Sequence, residues 1–126
     1  MSSTSPARGY TVECEAPCPG IQQPKAGDRK RLDFHAQRNG VQFALEVKWA
    51  KHARIDVKND YEKLSAFRTY ANGLAYLCVF GKKSAIQTLN LRPAQCFEER
   101  GKPVIAEFGV TRFGCRIFVA LNNVQP

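Results

Sequence analysis

Nowhere does the chain hold the ~18 consecutive apolar residues that a membrane-crossing helix requires, and its amino terminus lacks a basic-then-apolar leader. A cytoplasmic protein with no membrane partner is therefore expected. Acid is scarce: 11 Asp and Glu stand against 19 Lys and Arg among 126 residues, a net charge of +8. Such a surplus on one small domain points to a polyanionic partner, nucleic acid above all. There is no internal repeat, and no low-complexity block beyond the first residues. The five cysteines, at 14, 18, 78, 96 and 115, are odd in number and scattered. Cys14 and Cys18 are spaced as half a zinc site would be, but no second close Cys or His pair completes it. Reduced thiols, several of them buried, are the expectation.

Regular structure is also thin upstream. Residues 1–9, MSSTSPARG, are small and polar and predict a disordered tail, which leaves one domain over 10–126. Tyr10 to Glu15 alternates as a short strand, with Tyr10, Val12 and Cys14 on one side. Ala16 to Gly27 holds three prolines and two glycines, which predicts a loop. A basic cluster, Arg29, Lys30 and Arg31, follows.

What is present is concentrated in Arg31 to Trp49, RLDFHAQRNGVQFALEVKW, which reads as a β-hairpin. Asn39-Gly40 is the dipeptide that best fits a two-residue type I′ turn. That turn sets Arg38 opposite Val41 and Asp33 opposite Glu46. Alternation then sorts the side chains. Leu32, Phe34, Ala36, Val41, Phe43, Leu45, Val47 and Trp49 form an apolar face that a core is expected to bury. Asp33, His35, Gln37, Gln42, Glu46 and Lys48 share the other face with Ala44. Facing carboxylates destabilise a sheet unless a cation compensates them. A divalent ion or Lys48 supplies that charge.

Downstream, Val57, Tyr61, Leu64, Phe67 and Ala71 recur at helical spacing and predict a helix from about Asp56, its N-cap, to Ala71, stopped by Asn72-Gly73. Leu74 to Phe80 is a nearly continuous apolar run, expected to be a central strand covered on both faces. Strand, helix, strand makes a crossover, so this strand is expected to pair parallel with the hairpin. Lys82 to Leu91 fits a short helix or a basic turn, ended by Arg92-Pro93. Val104 to Phe113 and Cys115 to Leu121 predict an edge hairpin joined near Gly114, and Asn122 to Pro126 a tail. The fold class expected is α/β, a mixed central β-sheet flanked by helices.

An Asp, a strand turn, and then Glu-Val-Lys in an apolar strand resembles the active-site signature of the PD-(D/E)XK, or restriction endonuclease-like, nuclease superfamily. Asp33, Glu46 and Lys48 carry the resemblance, and the segment IDVKNDYEKL is similar to the start of the helix that follows in many members. Leu32 stands where the family usually has Pro. About 30 residues precede the hairpin and show no amphipathic helix, so the resemblance implies a core with a short or missing first helix. Glu13 or Glu15 is placed to stand in for the acid such a helix often contributes.

The resemblance implies a Mg²⁺-dependent deoxyribonuclease, an endonuclease hydrolysing DNA phosphodiesters. Asp33, Glu46 and the Val47 carbonyl would hold Mg²⁺, with Mn²⁺ as a substitute, and Lys48 would position the attacking water. Arg29, Lys30, Arg31, His35, Lys51 and Lys58 are candidate DNA contacts, and Trp49 is either a core residue or a stacking platform. A homodimer, or a partner chain supplying the missing helix, is the implied assembly. Two other functions remain open. One is an inactive nuclease-like domain that binds nucleic acid; the other is a small protein-interaction domain that neutralises a partner, its hairpin acids merely surface groups paired with Arg31 and Lys48.

Overall fold

The computed structural model describes residues 2–5, 9–19 and 31–122. In chain order they form β1 (Ser2–Ser5), β2 (Tyr10–Pro17), β3 (Arg31–Arg38), β4 (Val41–Ala50), β5 (Arg54–Asp56), α1 (Lys58–Ala71), β6 (Leu74–Lys82), α2 (Lys83–Gln87), β7 (Asn90–Arg92), a 3₁₀ turn (Ala94–Cys96), β8 (Phe97–Phe108) and β9 (Thr111–Ala120). Seven strands make one mixed sheet in the order β1-β2-β3-β4-β6-β9-β8, and β5 and β7 pair apart from it. None of the described helices is long and apolar enough to cross a membrane.

Asn39 and Gly40 turn the hairpin with φ of 51° and 81°, the left-handed pair that a type I′ turn needs. The ladder runs as expected from Arg38↔Val41 to Phe34↔Leu45. There it stops. Asp33 is not paired with Glu46, and the β2 ladder also steps over it, from Cys14↔Phe34 to Ala16↔Leu32. β6 lies parallel to β4, Glu46 beside Leu77, so α1 is the crossover connection. Val57, Tyr61, Leu64 and Phe67 are buried, and Asn72 caps the helix in the left-handed region at φ 51°.

The core lies on the opposite face of the hairpin from the one expected. Ala44, Glu46 and Ala50 of β4 are buried beneath α1, together with Ala75, Leu77 and Val79 of β6. The face of Phe43, Leu45, Val47 and Trp49 is half-buried or exposed; Trp49 is 47% exposed and is not a core residue. Leu32 does join the core, beyond the point where the ladder breaks. The reason is shape. Ala44, Ala50 and Ala75 are small and buried within the core that α1 joins, and a methyl at Gly114 would come within 2.9 Å of Ile86 of α2.

Other boundaries differ locally. The expected disordered tail contains β1, and β2 runs through Ala16 and Pro17 into the expected loop; the rest of that loop, from residue 20, and residues 123–126 lie outside the described residues. Asp56 ends β5 rather than capping α1, though its Oδ1 accepts the Lys58 N–H at 2.9 Å. The last hairpin turns at Gly109-Val110, not Gly114, which is inside β9, and the Gly-Lys-Pro segment is a bulge within β8. β6 is covered by helices on one face alone, with Leu74 and Phe80 exposed on the other.

Candidate functional site

Three elements converge where the ladder skips Asp33. Freed from cross-strand pairing, the Asp33 carboxylate turns inward, and its Oδ2 accepts the Val47 backbone N–H at 2.7 Å. That bond takes the place of a strand-to-strand one and brings Asp33 against Glu46. Glu46 is the one charged residue among the described ones that is buried, 2% exposed. Burial pushes its carboxyl up to about 8, the hydrogen bond with Asp33 adds to the rise, and Lys63 offsets part of it.

α1 supplies the counter-charges. The crossover sends the helix back antiparallel to β4, so helix numbers rise as strand numbers fall. Asp60 therefore stands over Lys48, with Nζ to Oδ2 at 3.2 Å, and Lys63 over Glu46, with Nζ to Oε1 at 2.7 Å. Lys63 also donates to the Arg31 carbonyl at 2.9 Å. Glu46 Oε1, fully buried, has the Lys63 ion pair and no further partner among the described residues.

The structure thus brings Asp33 and Glu46 together but sends Lys48 to Asp60, and puts Lys63 at the buried acid. Sequence alternation missed Lys63 because it treats the strand alone; laying the helix antiparallel over β4 would have matched opposite charges at 48 with 60 and 46 with 63. An exposed ladder of acids is excluded for Glu46 by its burial. His35 has its Nε2 2.9 Å from Gln42 Oε1, and its ring meets Phe67 edge-on at 5.3 Å. Arg31 and Lys51 are exposed. Lys58 lines a separate cleft of about 450 Å³ with Asp56, Asn90, Arg92 and Gln95. Arg29 and Lys30 lie outside the described residues.

Hard carboxylate oxygens suit Mg²⁺, which keeps waters and accepts substrate phosphate as further ligands. The buried Glu46 carboxyl, ion-paired with Lys63, and Asp33 beside it fit half of such a site. No third acid joins them, and no group of three metal-ligating side chains occurs among the described residues. Glu13 is paired opposite His35, and Glu15 is exposed with φ of 52°. The zinc spacing also fails: Cys14 is exposed, while Cys18 is buried with its thiol donating to the Lys63 carbonyl at 3.3 Å. Burial raises that thiol to about 11, which makes it inert rather than nucleophilic. No family model matches the chain, and no curated protein or solved structure matches it.

Proposed function

We propose that the chain is a metal-dependent nuclease with a restriction endonuclease-like core, hydrolysing phosphodiester bonds in DNA. One observation carries the reading: a buried glutamate, its Oε1 met by one ammonium alone, held beside an aspartate that has left its strand ladder. One ammonium leaves the Glu46 carboxyl raised to about 8 by its burial, so its charged form is costly there, and a divalent cation would offset that cost further. The order β3, β4, α1, β6 agrees with the hairpin, helix and parallel strand of that core, while two strands stand before β3 where the family has a helix.

Asp33 and Glu46 would hold Mg²⁺, with the Val47 carbonyl as a third oxygen. When bound, the ion supplies Lewis-acid polarisation of the scissile phosphate and of a water. Lys48, steadied by Asp60, orients that water. Lys63, its Nζ 2.7 Å from Glu46 Oε1, would offer its ammonium to the phosphate oxygens as their charge grows. The exposed Arg31 and Lys51, with the overall surplus of positive charge, draw the DNA backbone to the domain.

A second reading rests on the Lys63–Glu46 contact itself: an internal ammonium already compensates the acid, as it would in a domain that binds nucleic acid without cutting. Incubation of supercoiled plasmid with the protein and Mg²⁺ separates the two. Nicking or linearisation is expected, and Lys48→Met and Lys63→Met are each expected to slow it about 100-fold, the usual effect of losing one transition-state donor. Salt-sensitive binding with no cleavage in any variant or the wild type would select the second reading.

A further inference from the structure

Of the five cysteines, two touch each other. Cys78 of β6 and Cys115 of β9 have their Sγ atoms 3.1 Å apart, and both are half-buried. The antiparallel register explains the meeting. Cys78 is paired with Ile117 and Phe80 with Cys115, so the thiols are diagonal neighbours whose side chains leave the sheet on one face. The other thiols are placed differently. Cys18 and Cys96 are buried, and the exposed Cys14 is on β2, with β3, β4 and β6 between it and β9. Two thiols by themselves complete a disulfide but not a zinc site, which takes four ligands, and among the described residues no third metal-ligating side chain joins them.

We propose that Cys78 and Cys115 form a reversible oxidation site, closed to a cross-strand disulfide by a low-molecular-weight disulfide such as oxidised glutathione. The Cys115 thiolate attacks one sulfur of the oxidant, forming a mixed disulfide and expelling one thiolate. Cys78 then attacks the Cys115 sulfur, the second thiolate leaves, and the protein S–S bond is made. Two protein thiols have lost two electrons and two protons, and the oxidant has become two thiols. The order of attack follows from the surroundings. Burial pushes the Cys78 thiol up to about 12, with Cys115 beside it adding to the rise, so Cys78 is the poorer nucleophile at the start. Once Cys115 is in the mixed disulfide, the thiol that helped to hold the Cys78 proton is gone. Diagonal partners stand farther apart along the backbone than opposite ones, which puts the bond in the readily reduced class. This chemistry uses neither Asp33 nor Glu46, so it stands or falls apart from cleavage.

The test is thiol mapping on the full chain, treated with excess oxidised glutathione and then alkylated under denaturing conditions. Mass spectrometry is expected to find Cys78 linked to Cys115 within one chain, lighter by two hydrogens, and dithiothreitol is expected to restore five alkylated thiols. Cys78→Ser should stop the reaction at a glutathione carried on Cys115, Cys115→Ser should leave Cys78 reduced, and Cys14→Ser should leave the link unchanged. Cys78→Ala serves if Cys78→Ser does not fold. A wild type whose Cys78 and Cys115 both stay alkylatable in excess oxidant, a link through Cys14, or a link between two chains would overturn the proposal. So would glutathione carried by Cys78 in place of Cys115.

Discussion

Glu46→Gln is expected to reduce plasmid cleavage by a factor on the order of 1000 or more, while the folded chain becomes no less stable. The two halves of this result come from one cause. Gln keeps the volume and one acceptor oxygen of Glu46 but removes the charge that grips a cation, so chemistry is lost and packing is kept. Glu46 is almost wholly buried, and replacing a buried acid by a neutral isostere removes its desolvation cost. An ion pair kept only for structure predicts the opposite pattern. Removing one partner would leave Lys63 charged and partly buried, at a cost of about 3–5 kcal/mol, and any activity would fall only with the folded fraction. Urea unfolding and plasmid nicking on the same preparations tell these apart.

Stability should fall as pH rises, by on the order of 3–4 kcal/mol between pH 5 and 8. The folded chain holds the Glu46 proton up to about pH 8, whereas an unfolded glutamate releases it near its ordinary value of about 4.3. Between those values the folded state binds more protons than the unfolded one, so each step up in pH favours unfolding. The contribution is complete below the unfolded value and is lost as pH rises through the folded one. Glu46→Gln should abolish the slope. Mg²⁺, which binds the ionised form, should stabilise the wild type more at pH 8 than at pH 5. Urea midpoints at three pH values, with and without Mg²⁺, check both statements, and a slope unchanged in Glu46→Gln would assign it to other groups.

The hairpin, its turn and its register as far as Phe34↔Leu45 were legible because Asn39-Gly40 and alternation are local signals, but the break that leaves Asp33 unpaired was not. The crossover helix and the parallel strand were legible for the same reason, through the spacing of Val57, Tyr61, Leu64 and Phe67. Which face of the sheet becomes the core was not, because it depends on what lies above. Counting apolar residues favours Phe43, Leu45 and Trp49, yet the core with α1 forms over Ala44, Ala50 and Ala75, whose smallness leaves room for it. The same long-range fact decides the site. Burial of Glu46 and the arrival of Lys63 follow from α1 lying over β4, and no window of sequence around the Glu-Val-Lys motif contains that information. The turn of the last hairpin was misplaced because Gly114 looks like a turn residue when its true constraint is Ile86 above it.

The most direct measurement is calorimetric titration of Mn²⁺ into the full chain at neutral pH, repeated in buffers of different ionisation heat and with Asp33→Asn. The account predicts a saturable site in the wild type whose heat depends on the buffer, because a cation must displace the Glu46 proton, and no such site in Asp33→Asn. An absence of saturable heat in the wild type, or the same isotherm in the variant, would contradict it.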